Sequence, residues 1–191
     1  MIRTAALVSF LAVAPAALAQ VAITIEVDNP LLSPGESTTV TLFAAFERSD
    51  YAMAAVGTDF QTSVGSVGWS DAMLLAPMDA IGTEPGVPSS SGYDGILAGQ
   101  LNIPSDAYAD PMNPVMFWQA TYTAPMDVAA PFVVDLSTLT DRYDVYPDMS
   151  SARSESRLDE LDDGFGTITV IPAPASAVVL ALGIAGIRRR R

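Results

Sequence analysis

Val21-Ala22-Ile23-Thr24-Ile25-Glu26-Val27 alternates strictly between apolar and polar positions. Val21, Ile23, Ile25 and Val27 share one side and Thr24 and Glu26 the other, the period-two signature of a half-buried strand. Asn29-Pro30 and then Ser33-Pro34-Gly35-Glu36 break the run, with Pro34 and Gly35 suited to the central positions of a type II turn. The alternation then resumes. Val40, Leu42, Ala44 and Phe46 are predicted to face inward, and Thr39, Thr41 and Glu47 outward. Strand, tight turn and strand within 26 residues indicate an antiparallel, β-rich domain, and the rest of the chain is read outward from here.

Ala52, Ala54, Val56, Thr58 and Phe60 alternate as a third strand. Residues 69–75 fit either a short strand or the start of an excursion. Residues 77–94, rich in glycine, proline and serine, read as a long loop. Further strands are expected at 96–103, 115–123, 131–136, 142–146 and 164–170. In the second of these, Met116, Trp118, Ala120 and Tyr122 form one stripe, with Phe117 on the opposite side. Residues 150–163 fit a partly helical segment or a solvated loop. Eight or nine short strands with little helix predict an all-β fold, an antiparallel two-sheet β-sandwich of residues 20–170. The run from Val21 to Phe46 resembles cohesin-type and other Ig-like secreted sandwiches. That resemblance implies the architecture and leaves the partner open.

Composition narrows the chemistry. The 191-residue chain has no cysteine and no histidine, which excludes disulfides, cysteine nucleophiles, Ser/His/Asp hydrolysis and histidine-ligated zinc. All nine basic residues are arginines, and five of them lie in the terminal segments. Residues 20–170 retain four arginines against all 22 acidic residues, a net charge of −18. Such a surface repels nucleic acid and anionic lipid and attracts divalent cations.

The two ends read as signals. Residues 1–19 carry a basic start at Arg3, an apolar stretch over 5–14, Pro15, and Ala17-Leu18-Ala19, the small-x-small pattern cut by signal peptidase. A signal helix cleaved before Gln20 is expected. At the other end, Ile171-Pro172-Ala173-Pro174-Ala175-Ser176 leads into an apolar run over 175–187 and then Arg188, Arg189, Arg190 and Arg191. As a helix, 13 residues reach about 20 Å, short of the roughly 30 Å hydrocarbon core. The arginines hold that end in the cytoplasm. Residues 171–191 resemble the PEP-CTERM sorting signal of Gram-negative bacteria, with Ala173 where the family usually has glutamate. The resemblance implies a short transmembrane helix over 175–187 and processing by an exosortase-type membrane protease at Pro172, Ala173 and Pro174. It also implies transient anchoring in the inner membrane, followed by release to the cell surface or extracellular matrix of a Gram-negative-type bacterium. The competing reading is a plain tail anchor.

Within the domain, Asp159, Asp162 and Asp163 ahead of Gly164 are candidate calcium ligands, although their spacing is not that of an EF-hand loop and a solvated acidic face competes. Asp141, Asp144 and Asp148, near Tyr143 and Tyr146, form a second acidic group. Tyr93, Tyr108, Trp118 and Tyr146 are candidates for stacking on sugars, with core packing the stronger reading for Trp118 and partial exposure the expectation for Trp69. No cofactor is required. The reading placed first is a structural or adhesive, non-enzymatic matrix protein, with extracellular polysaccharide among its candidate partners. The alternative is a carbohydrate- or protein-binding module of cohesin-like type. A carboxylate-dependent glycan hydrolase ranks last, because no motif selects two carboxylates for the work.

Overall fold

The computed structural model describes residues 21–101, 112–150 and 153–172. Eleven strands are present: β1 (Ala22–Val27), β2 (Leu31–Leu32), β3 (Ser37–Ala45), β4 (Ala52–Thr62), β5 (Trp69–Leu74), β6 (Glu84–Pro88), β7 (Gly92–Gly99), β8 (Val115–Thr123), β9 (Phe132–Tyr146), β10 (Glu155–Ser156) and β11 (Phe165–Val170). They form a small sheet in the order β1-β3-β8-β5 and a large one in the order β2-β11-β9-β4-β7-β6, with β10 added to β9. The two sheets bury one shared core.

The opening strands lie as their pattern predicts. Val21 and Ile23 are buried, and Val40, Leu42 and Ala44 are fully so. The turn between them closes with a hydrogen bond from the Glu36 amide to the Ser33 carbonyl, and Gly35 takes a φ of 77°, which glycine alone adopts without strain. One expectation of arrangement fails: the sheets are not wholly antiparallel. β2 runs parallel to β11, pairing Leu31 with Thr169 and Leu32 with Val170. Leu32 is thereby sealed in the core.

Bulges account for the other departures. A register shift in β8 leaves Phe117 as the extra residue between the pairs Leu42–Trp118 and Phe43–Met116. Phe117 and Trp118 therefore both point inward, and Met116 is turned out to 45% exposure, against the stripe expected from strict alternation. In β4 a shift between Met53 and Ala55 leaves Ala54 as the extra residue, so that Ala52, Met53 and Ala54 are all buried. The segment taken for a loop at 77–94 contains β6, whose Pro85 and Pro88 are tolerated because it lies at the sheet edge. The separate strands expected at 131–136 and 142–146 are one 15-residue strand, β9. Residues 158–160 make a single 3-10 turn. No helix among the described residues is long and apolar enough to cross a membrane. The signal helix, the 175–187 helix and the four terminal arginines lie outside the described residues.

Two aromatic side chains tie the sheets together where a disulfide is chemically absent. Trp118 of the small sheet donates its indole Nε1–H to the Pro85 carbonyl of β6 at 2.9 Å. Tyr143 of the large sheet donates its hydroxyl to the Ala45 carbonyl of β3 at 2.6 Å. Burial pushes the Tyr143 phenol well above the usual tyrosine range, and Tyr93 and Tyr122 are also raised, chiefly by burial. A raised folded-state value means that the stabilising contribution is complete below the unfolded value of about 10 and is lost as pH climbs past it. Alkaline titration is therefore expected to ionise these three tyrosines together with unfolding, read as coincident changes in absorbance at 295 nm and in circular dichroism. Tyr143→Phe is expected to cost about 1 to 2 kcal/mol, since it strands a buried carbonyl.

Candidate functional site

The outer face of the large sheet, across β9, β4, β7 and β6, is lined along its middle by very small residues. Register sets Ala55 beside Gly99 and Asp144, Gly57 beside Leu97 and Arg142, and Asp59 beside Leu139. A shift between Gly57 and Thr58 brings the extra residue Asp141 of β9 over the strand. A Cβ at position 57 would lie 2.7 Å from Asp141 Oδ1 and 3.0 Å from Arg142 Cβ, so a larger residue would have to push the bulged side chains aside.

The result is a shallow trough. One depression of about 470 Å³ is bordered by Gly57, Asp59, Gly95, Leu97, Asp141 and Arg142. A second, of about 200 Å³, continues past Leu97 and Arg142 to Ala55, Gly99 and Tyr146. Ile81 stands almost wholly in solvent at the rim, and Leu139 and Val87 add exposed apolar surface on the same face. The floor at the Tyr146 end is fixed by hydrogen bonds. The Tyr146 hydroxyl donates to the Gln100 carbonyl at 3.0 Å, and Gln100 Nε2 donates to the Met53 carbonyl.

The face is acidic. Asp59, Glu84, Asp94, Asp141 and Asp144 are spread over these four strands with one guanidinium, that of Arg142, which pairs with Asp144 at 2.7 Å. Several of these carboxylates have structural partners. Asp59 Oδ1 accepts from the Gly95 amide, and Asp94 Oδ1 accepts from the Ser89 and Ser91 hydroxyls. A broad, open, rigid face with isolated apolar side chains among charges suits docking of another macromolecule better than enclosure of a small molecule.

The residues singled out from sequence fall elsewhere or play other parts. Asp163 Oδ1 accepts from Thr138 Oγ1 at 3.0 Å and Thr140 Oγ1 at 2.6 Å, while Asp162 forms a bridge with Ala22 and Asp159 lies in the exposed 3-10 turn. Among the described residues no three carboxylates converge on a common point, so Asp159, Asp162 and Asp163 are not gathered into a calcium cage. Asp141 and Asp144 lie on the outer face of the large sheet beside the trough, whereas Asp148 accepts from the Ser150 amide and hydroxyl in a turn. Two aromatic expectations are corrected. Tyr93 is 4% exposed and stacks edge-on to Trp118, and Trp69 is 8% exposed between Phe60 and Tyr122. Trp118 is core, as its stripe suggested. Pro172 is the last described residue. Ala17, Ala19, Tyr108, Ala173, Pro174, Arg188, Arg189, Arg190 and Arg191 lie outside the described residues.

The architecture defines a class, the two-sheet all-β module presenting a flat face of its larger sheet. Among solved structures it is similar in fold to cohesin modules. A type I cohesin from Clostridium thermocellum, solved in a cohesin–dockerin complex, matches with a TM-score of 0.53 at 11% identity, over 80% of this chain and 99% of that one. A cohesin module of a family 33 glycoside hydrolase from Clostridium perfringens matches at 0.49 and 12% identity, over 81% and 99% of the two chains. A type III cohesin from a cell-surface anchoring scaffoldin of Ruminococcus flavefaciens matches at 0.47 and 13%, over 81% and 89%. At these identities the likeness is one of fold. No family model and no curated protein matches the sequence.

Proposed function

We propose that the domain is a non-catalytic protein-binding module that docks its partner on the outer face of β9, β4, β7 and β6. The observation that carries this reading is the trough of Ala55, Gly57, Gly95 and Gly99, flanked by Leu97, Leu139 and Val87 on an otherwise charged sheet. The C. thermocellum cohesin of the same fold was solved in complex with a dockerin, which favours protein binding over the structural or adhesive role placed first from the sequence. The partner's contacting surface is basic, because the face holds five carboxylates to one guanidinium. The reading includes export by signal peptidase and processing of the PEP-CTERM-like tail by an exosortase-type protease. Display at the cell surface or in the matrix then follows. The module requires no cofactor.

The test is capture of secreted proteins by the immobilised chain, compared with Leu139→Glu. The variant is expected to lower retention of the specific partner at least tenfold without changing circular dichroism, as for an apolar anchor near the middle of an interface. Association is expected to slow about tenfold between 50 and 500 mM NaCl. Equal retention by Leu139→Glu, or salt-independent association, would remove this face as the docking site.

A further inference from the structure

The small sheet has the opposite character. β3 (STTVTLFAA) and β8 (VMFWQATYT) contain no charged residue, in a domain of net charge −18. Their outward positions pair as Ser37 with Thr123, Thr39 with Thr121, Thr41 with Gln119 and Phe43 with Met116. Ser70 of β5 extends the second row and Thr24 of β1 the last. Along β3 and β8 the outer face is thus a lattice of hydroxyls and one amide, with a partly exposed phenyl ring at one end; the flanking strands add one exposed carboxylate each, Glu26 of β1 beside Thr41 and Asp71 of β5 next to Ser70. Ser37 and Thr123 bond each other at 2.9 Å, but among the described residues the hydroxyls of Thr24, Thr39, Thr41 and Thr121 have no partner. A shallow depression of about 160 Å³ lies over Thr39 and Thr121, with Asp28 and Asn29 at its border.

Charge selects the occupant. An anionic chain would find no cation on this face and would approach a strongly acidic domain. A cationic partner would be drawn more strongly to the denser carboxylates of the large sheet than to the few that border this face. A protein interface of ordinary affinity needs a cluster of apolar anchors, and here Phe43, Met116 and Met73 are sparse among polar groups. A neutral sugar chain fits better. The C–H face of a pyranose stacks on an aromatic ring, and its hydroxyls exchange hydrogen bonds with groups that both donate and accept, as threonine does.

We propose that the outer face of the small sheet binds an uncharged polysaccharide, with Phe43 as the stacking platform and Thr39, Thr41, Gln119 and Thr121 as its hydrogen-bonding partners. This surface lies on the opposite side of the sandwich from the docking face, so both can be filled at once. The inference does not depend on the protein-binding reading. A module filled on both sides would tether a protein partner to a neutral glycan.

Affinity electrophoresis of the full chain, in a detergent without a sugar headgroup, tests the proposal. The probes are hydroxyethylcellulose, dextran and galactomannan, against alginate and polygalacturonate. Retardation by at least one neutral polymer and by neither anionic one is expected. Phe43→Ala should weaken it at least tenfold, and Phe165→Ser, removing an exposed aromatic of the large sheet, should leave it unchanged. Should Phe43→Ala fail to fold, Thr121→Glu places a charge in the lattice and should abolish binding. The proposal is overturned by no retardation in any neutral polymer, by equal retardation in the anionic ones, or by binding indifferent to Phe43→Ala or Thr121→Glu in folded protein. Concentration-dependent dimerisation abolished by Thr121→Glu, without glycan binding, would make the face a self-interface and also overturn it.

Discussion

Trp118→Ala is expected to cost about 3 to 5 kcal/mol, the range for deleting a fully buried large aromatic. Trp118 is the largest side chain with no solvent exposure, and it fills the space between the sheets. Its ring centre is 5.1 Å from Phe60 and 5.5 Å from Tyr93, so truncation removes packing from two rings at once. It also strands the Pro85 carbonyl, which receives the indole N–H. For a domain of roughly this size each kcal/mol shifts Tm by about 2 to 4 °C, so the melting temperature is expected to fall by about 6 to 20 °C. Urea unfolding should show a lower midpoint at unchanged slope. Trp118→Phe separates the contributions, because it keeps an aromatic ring in the core and deletes the hydrogen bond. It is expected to cost about 1 to 2 kcal/mol, with faster amide exchange in β6 as the specific sign that the edge strand has lost its tie. A loss below 1 kcal/mol for Trp118→Ala would contradict the packing described.

Much of the fold is legible in the residues that face the core. Val21, Ile23, Val40, Leu42 and Ala44 announce both inward sides by alternation, and Pro34-Gly35 announces the turn between them. What alternation cannot reveal is where its phase slips. Nothing in Val-Met-Phe-Trp-Gln marks Phe117 as an extra residue, because a bulge is fixed by pairing to β3, many residues away. The same holds for β6, where Pro85, Gly86 and Pro88 argue for a loop by local propensity, and pairing with β7 prevails.

The proposed docking face is less legible than the core for a related reason. A trough made from Ala55, Gly57, Gly95 and Gly99 carries no reactive group to attract attention, whereas the acidic turn at Asp159, Asp162 and Asp163 does. The available clue was glycine inside strands, which marks a bulge or a close approach. Gly57 is such a case, held under Asp141 and Arg142. Tyr93 and Trp69 misled in the opposite sense. Both rings are instead carried inward, Tyr93 against Trp118 and Trp69 against Phe60.

Arg157→Met is the second large effect expected, about 3 kcal/mol. Arg157 holds Asp50 with two hydrogen bonds, Nε to Oδ2 at 3.2 Å and an Nη to Oδ1 at 2.8 Å. The Asp50 side chain keeps only 2% of its surface in solvent, so removing the guanidinium leaves an uncompensated carboxylate in the interior. Losing one partner of a buried pair costs about 3 to 5 kcal/mol, and the lower end applies because Arg157 itself keeps 23% of its side chain exposed. The contact joins distant parts of the chain. Asp50 lies between β3 and β4, and Arg157, whose amide also donates to the Tyr143 carbonyl, anchors the segment between β10 and β11. The hydrogen bond to Asp50 is the main cause that raises the guanidinium's pKa. A raised value keeps the guanidinium charged throughout the neutral and moderately alkaline range. Asp50→Leu combined with Arg157→Met removes both charges and is expected to recover at least half of the loss, whereas Arg157→Lys, a single donor in place of a fork, should recover less. Equilibrium unfolding of the two single variants and the double variant measures the coupling. A coupling energy near zero would mean that the pair does not hold these segments together.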